Sequence, residues 1–382
     1  MIYSGGKIEL IALCKVCNSS IFKEIFLFNG CYFSDGTKGL DDLHKEECQC
    51  CGTVRTKLQI DLNDFYLNNY QPSRNIDTVA FTNNEEINRS KFIYDWMKDL
   101  ITKNILKKFN SVLEIGCGQG FLLEKFNIKN KYGIEPSKKA STKASKIANV
   151  RNIFYEEINN TEKYDFVTSY CVIEHVEDPK TFLEKNYRIL NDDGTMCIAL
   201  PIQDKFNYDL VFADHIHHFN HENFVKLLYN NGFRVINYEL GKGSYFNIVM
   251  YVCKKMRTFK PKDFSYIYNQ NIDNVKIIFD NIHILSKKQS KNKLYAFGYG
   301  EITKTILSYT EVDNYIVKYI DDYTSGDKII TSKLSKKIFK NEKTVDVLLL
   351  VNPSHIKNII NIYKDVKNIN FINIFDNITM EL

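Results

Sequence analysis

Nowhere does this 382-residue sequence hold an apolar run near the roughly 20 residues that would span a bilayer, so membrane insertion is not expected. A leader peptide is not expected either, because Glu9 interrupts the first short apolar stretch and neither a basic segment nor a small-residue cleavage site flanks it. The basic residues form no long block. A net charge of +5 spread over 51 basic and 46 acidic side chains is too dilute to argue for a nucleic-acid partner. No period of roughly 20 to 50 residues recurs, which excludes a repeat array. With 44% hydrophobic and 25% charged residues, the chain reads as a cytoplasmic globular protein of two or three domains, a monomer or weak dimer. Its ten cysteines, in that setting, point to reduced thiols used for metal or packing.

Cysteines crowd into residues 14 to 51, where Cys14-Lys15-Val16-Cys17 and Cys48-Gln49-Cys50-Cys51 form two C-x2-C pairs. Each pair can present two thiolates from one tight knuckle, and four sulfurs close a tetrahedral zinc site with no open position, so the role expected is structural. Cys50 could stand in for Cys51, and Cys31 and His44 are nearby substitutes; the x2 spacing favours Cys14, Cys17, Cys48 and Cys51. Redox chemistry is disfavoured, since neither pair opens a helix after a strand.

From Tyr70 onward strand and helix alternate, the pattern of a parallel α/β sheet. The expected elements are a helix near Glu86 to Phe109, strands at Ser111–Ile115 and Lys131–Ile134, and a third strand and turn over Asn152 to Glu157. A fourth strand follows at Tyr164, and a fifth over Met196–Leu200 after a hairpin-like turn at Asn191–Thr195. Ser111–Ile115 runs straight into Gly116-Cys117-Gly118-Gln119-Gly120, a loop that lets main chain approach a ligand. Dinucleotide loops read G-x-G-x-x-G; here the third glycine comes one residue early and Glu114 precedes the loop, which suits a cationic ligand better than a pyrophosphate. Glu135 ends the second strand, before Pro136, where a carboxylate receives both ribose hydroxyls, and Glu156 or Glu157 lies in reach of an adenine. Tyr170 and Cys171, at the carboxyl end of the fourth strand, should face the same crevice; His175 reads as packing.

The order of these pieces, Glu-x-Gly-x-Gly, Glu135, Tyr164-Asp165-Phe166-Val167, Glu174-His175-Val176-x-Asp178-Pro179 and Asp192-Asp193-Gly194, resembles the class I S-adenosylmethionine-dependent methyltransferases. The whole chain is similar to the sugar C-methyltransferases of deoxysugar biosynthesis, which join a four-cysteine zinc module, a methyltransferase domain and a C-terminal nucleotide-binding-like α/β domain. The resemblance implies a nucleotide-sugar substrate and a histidine base. His215 falls on the base position and Asp214 on its acidic neighbour, while Phe212-Ala213 replaces the family's Tyr-His pair, leaving carbon or oxygen open as the methyl acceptor. The family's tyrosine at the domain entrance is matched by Tyr70, with Tyr66 close by. His215, His217 and His218 also raise a metal site, but the i, i+4 helical spacing is absent.

The expected division is a zinc-binding module over 1–69, a Rossmann-like methyltransferase domain over 70–256 and a smaller Rossmann-like α/β domain over 257–382. In the last, Gly298-Tyr299-Gly300-Glu301-Ile302-Thr303 follows a strand and opens a helix, offering amides to the phosphates of a nucleotide sugar. The alternative class is an NAD-linked or non-catalytic protein whose two α/β units bind nucleotides.

Overall fold

A computed structural model describes residues 2–4, 7–9, 13–39, 41–57, 62–70, 77, 79–82, 85–102, 109–287 and 292–376. The chain forms two compact units, one of residues 1–27, 43–204 and 214–269, the other of residues 28–42, 205–213 and 270–382. These units do not follow the sequence boundaries after residues 69 and 256: most of the cysteine segment belongs to the first unit, whereas 28–42 and 205–213 join the second.

The first unit is built on a seven-stranded sheet. Its strands are β1 (Ser111–Ile115), β2 (Asn130–Ile134), β3 (Asn149–Arg151), β4 (Tyr164–Tyr170), β5 (Leu190–Pro201), β6 (Phe233–Leu240) and β7 (Ile248–Lys255), in the spatial order β3-β2-β1-β4-β5-β7-β6. β1 to β5 are mutually parallel, and β7 runs antiparallel to both its neighbours. Strand order reverses between β1 and β4, so a crevice opens beyond their carboxyl ends.

Both faces of the sheet are covered, and each strand feeds both cores by alternation. Along β5, Met196, Ile198 and Leu200 enter one core with Phe182, Leu183, Phe224 and Leu227, while Cys197 and Ala199 enter the other with Trp96, Met97 and Leu100. The helix after β4, α1 (Pro179–Ile189), starts where the sequence dictates. Asp178 caps the amides of Lys180 and Thr181, and Pro179 occupies the first turn, where its missing N–H costs nothing.

Three expectations shift. Residues 85–88 are a strand, paired with Val79–Thr82, and the helix runs over Arg89–Thr102 with 103–108 outside the described residues. The third strand lies at Asn149–Arg151, before Asn152, whose side chain donates to the carbonyls of Glu135 and Pro136 and ends the ladder. There is no hairpin ahead of the fifth strand: β5 already begins at Leu190, and an irregularity opposite Tyr164–Phe166 absorbs the Asp-Asp-Gly turn.

The cysteine segment adds a four-stranded sheet ordered His217–His218, Val54–Thr56, Leu43–Cys48, Phe22–Phe28. The second unit carries a wholly parallel five-stranded sheet ordered Ile329–Ile330, Ile316–Ile320, Lys293–Phe297, Val345–Leu349, Ile369–Asn373, a doubly wound α/β layer around Tyr295, Ile320, Val347, Leu349 and Phe339. No helix among the described residues is long and apolar enough to cross a membrane.

Candidate functional site

Cys14, Cys17, Cys48 and Cys51 bring their sulfurs within 4.8 Å of one another. Cys14 and Cys51 are 3.8 Å apart and Cys17 and Cys48 3.5 Å, close to the edge of about 3.8 Å of a tetrahedron with arms of about 2.3 Å. Two knuckles make this possible. Asn18 returns its amide to Cys14 O and takes a left-handed φ of 64°, and Gly52 returns its amide to Cys48 O with φ 73°. A Cβ at Gly52 would lie 1.9 Å from Ile267 O, so both the turn and its packing demand glycine. Burial pushes the Cys17 thiol up to about 12, so charge on these sulfurs calls for a cation among them. Cys50 is exposed and outside the cluster.

At the glycine loop, Gly116 and Gly118 take φ of 72° and 53°. A side chain at Gly116 would strike Val172 at 2.6 Å; at Gly118 there is open space within 4 Å. The Glu135 carboxylate ties the loop together, accepting from the Gly118 amide and from the Ser137 amide, each at 2.9 Å. Burial raises its pKa to about 6, against those two amides. Glu114 is 4% exposed, and its Oε2 has no hydrogen-bond partner among the described residues; burial raises its pKa well above the carboxylate range, with Arg89 opposing. The Tyr170 hydroxyl likewise has none, and Arg89 stands over its ring at 5.1 Å. Two orphaned polar atoms beside an open glycine loop fit a ligand that carries an amino group. Cys117 does not join them: its thiol packs with Leu122, Phe126 and Phe166 and would meet a Cβ on Gly133 at 2.7 Å, so it is a core group.

A cavity of about 880 Å³ within the first unit runs from this loop, at Gly116, Glu135, Pro136 and Cys171, to Tyr66, Tyr70 and His175. Cys171 lines it at the end of β4 with a left-handed φ of 53°. Tyr66 and Tyr70 sit four residues apart on one helical turn, with ring centroids 5.4 Å apart. Tyr66 Oη lies 2.8 Å from His175 Nδ1 and donates to Asp214 Oδ2 at 3.4 Å. His175 Nδ1 is also 2.9 Å from the Asp214 carbonyl. A carbonyl only accepts, so Nδ1 carries the proton and Nε2 is left as the basic nitrogen.

His215 meets the His175 ring edge to face at 4.5 Å, and Glu174, fully buried, lies within 4.8 Å of both. His217 borders the cavity but is neutral: burial lowers its pKa to about 4, and its Nε2 faces the Glu177 carbonyl. The cluster thus combines a basic imidazole, a second imidazole and buried carboxylates that can stabilise an imidazolium. Sequence reading placed Tyr70, Asp214 and His215 here; it missed Tyr66 as the hydrogen-bonded tyrosine and set His175 aside. The signal available for His175 was its place just past the carboxyl end of β4, at the crevice.

In the second unit, Gly298 has φ 97° and Gly300 precedes the helix Glu301–Ser308. The Tyr299 amide goes to Asp321, which also accepts from Tyr323 and Thr324. The acidic side chain at the end of the second strand therefore serves its own loops, where a dinucleotide site would offer it to a ribose.

Residues 86–238 match the sequence model of a family described as methyltransferase domain. A ubiquinone biosynthesis O-methyltransferase of Rhodopseudomonas palustris is 35% identical over 97 residues, covering 23% of this chain and 38% of the relative. An uncharacterized protein of Methanocaldococcus jannaschii is 32% identical over 100 residues, covering 25% and 46%. The chain thus spans less than half the length of these curated relatives. Among solved structures, a possible histamine N-methyltransferase of Thermotoga maritima is similar at 24% identity and TM-score 0.35, covering 44% of this chain and 90% of that one. A methyltransferase of Clostridium acetobutylicum is similar at 14% identity and TM-score 0.38, covering 44% and 92%. Residues 86–238 therefore carry a methyltransferase domain.

Proposed function

We propose that the chain transfers the methyl group of S-adenosylmethionine to a nucleotide-linked sugar, at carbon or oxygen, and that Cys14, Cys17, Cys48 and Cys51 hold a structural zinc ion. One observation carries the reading. A single cavity joins the glycine loop and Glu135 to Tyr66, Tyr70 and His175, so a methyl donor and an acceptor would meet in one cleft. When bound, the cofactor supplies an electrophilic methyl on sulfur. Glu114 and Tyr170 would receive its amino acid end, and Glu135 its ribose hydroxyls.

The acceptor proton goes to the histidine pair. His215 holds the base position of the sugar methyltransferase resemblance, and His175 beside it borders the cavity with Nε2 basic. Asp214 and Glu174 stabilise the charge that forms. The sugar reading is supported by the order along the sequence of the paired cysteines, the glycine-loop sheet and the second, parallel sheet, with Asn63, Tyr66 and Tyr70 offering polar groups at the cavity. Incubation with methyl-labelled S-adenosylmethionine and a panel of nucleotide sugars, read by NMR, tests it; a labelled sugar is expected, and transfer only to phenolic acceptors would overturn it. Mass spectrometry of the purified protein addresses the NAD-linked alternative, since S-adenosylhomocysteine is the expected passenger.

A further inference from the structure

Lys45 stands in the cysteine module on the strand Leu43–Cys48, in the inward register shared by Leu43 and Glu47. That register ordinarily takes an apolar side chain, yet this lysine is fully buried at 0% exposure. Its Nζ reaches Thr56 Oγ1 at 2.6 Å, His218 Nε2 at 2.7 Å and the main-chain carbonyl of His215 at 3.0 Å. Thr56 in turn donates its hydroxyl to the same His215 carbonyl at 2.7 Å. With the ammonium donating to it, His218 Nε2 accepts, which leaves His218 protonated on Nδ1. The main chain adds further ties, with the Thr56 amide on Ile216 O, the Ile216 amide on Glu174 O, and His217–His218 paired to Val54–Arg55.

Resting on the proposed role of His215 as base, we infer that Lys45 is a positioning residue for methyl transfer. It clamps the loop that carries His215 from behind, at the carbonyl and at His218, so that the imidazole meets His175 in the observed edge-to-face geometry. The cysteine module then does more than fold. The strand that ends in its Cys48 knuckle supplies the back wall of the proton-accepting cluster. Removing the donors frees the loop main chain without touching the cofactor loop, and the loss falls on turnover and not on cofactor binding.

Lys45→Met keeps the stem and removes all three donors. In full-length protein labelled with 15N-histidine, the parent is expected to show His218 as a single Nδ1–H tautomer. Lys45→Met should mix that tautomer and displace the His215 imidazole resonances, assigned by their loss in His215→Asn. Transfer of labelled methyl should fall at least tenfold, with S-adenosylhomocysteine affinity and bound zinc unchanged. Resonances of His215 and His218 that stay in place, or turnover that stays at the parental rate, overturn the inference. If Lys45→Met loses its zinc or fails to bind S-adenosylhomocysteine, Thr56→Val replaces it, removing only the bridging hydroxyl. It should displace the same His215 resonances, and their constancy overturns the clamp. Were His215→Ala to transfer methyl at the parental rate, the assignment of the base would fall, while the resonances would still report whether Lys45 holds the loop.

Discussion

Tyr66 and His175 are 109 residues apart in sequence, yet the Tyr66 hydroxyl lies 2.8 Å from His175 Nδ1 and its ring stands edge-on to the imidazole. Burial, with Asp214 beside it, pushes the Tyr66 phenol well above its ordinary pKa, so it stays protonated and can donate to the Asp214 carboxylate. The pair joins a turn before the methyltransferase domain to the end of β4.

Removing this contact should cost turnover more than binding. Tyr66→Phe keeps the ring and loses the hydroxyl, and methyl transfer should fall roughly tenfold; His175→Ala or His215→Ala should lower it about a hundredfold or more. Calorimetric affinity for S-adenosylhomocysteine should be unchanged in all three. Parental turnover in His175→Ala would place the proton transfer elsewhere.

Glu135 sets a pH dependence. Its pKa of about 6 in the folded chain exceeds the ordinary 4.5, so the folded state holds this proton more tightly than the unfolded one. Folding stability therefore falls as pH rises from about 4.5 to above 6, by about 2 kcal/mol for this group. On the proposed role of Glu135, cofactor affinity should move the other way, because ribose hydroxyls would donate to the ionised carboxylate. Titration calorimetry at pH 5.0 and at pH 7.5, each about a unit or more from that midpoint, should find about tenfold weaker binding at the lower pH. Glu135→Gln should weaken binding at both pH values and abolish the difference.

The features legible in sequence were local ones. Two C-x2-C knuckles, the Gly116–Gly120 loop and Glu135 each announce themselves within a few residues, because tight turns and strand ends need particular residue types at fixed spacing. The pairing at the far end of the cavity was not legible, since Tyr66 and His175 come from separate segments that only tertiary packing brings together, and the same packing sets His215 beside His175 and Lys45 behind the His215 loop. A buried lysine among alternating strand residues looks like an outward one, and Cys117 sits in the glycine motif while its thiol turns into the core. The third strand was misplaced because Ile153 and Phe154 favour a strand, whereas the Asn152 side chain ends it first.

Metal content separates the cysteines. Cys51→Ser or Cys48→Ser should lose the zinc and the fold of the module, since a structural site contributes on the order of 10 kcal/mol. Cys50→Ser, at an exposed position outside the sulfur cluster, should retain one zinc per chain by atomic emission. Equal loss in Cys50→Ser and Cys51→Ser would contradict the assignment.

Glu114 should show a trade between stability and binding. Its carboxylate is buried against the glycine loop, its pKa is raised by burial, and Oε2 awaits a donor among the described residues. Glu114→Gln keeps the shape and removes the ionisable group, so the cofactor-free protein should melt at a higher temperature near neutral pH, because the cost of protonating or burying a carboxylate there disappears. The same change withdraws the negative charge that would face the cofactor's amino group, and affinity for S-adenosylmethionine should fall about tenfold or more, as a charged hydrogen bond of roughly 1.5–3 kcal/mol is lost. Differential scanning calorimetry without ligand, paired with titration calorimetry, reads both halves. A variant that melts lower and binds as tightly as the parent would mean that Glu114 holds the fold and not the ligand.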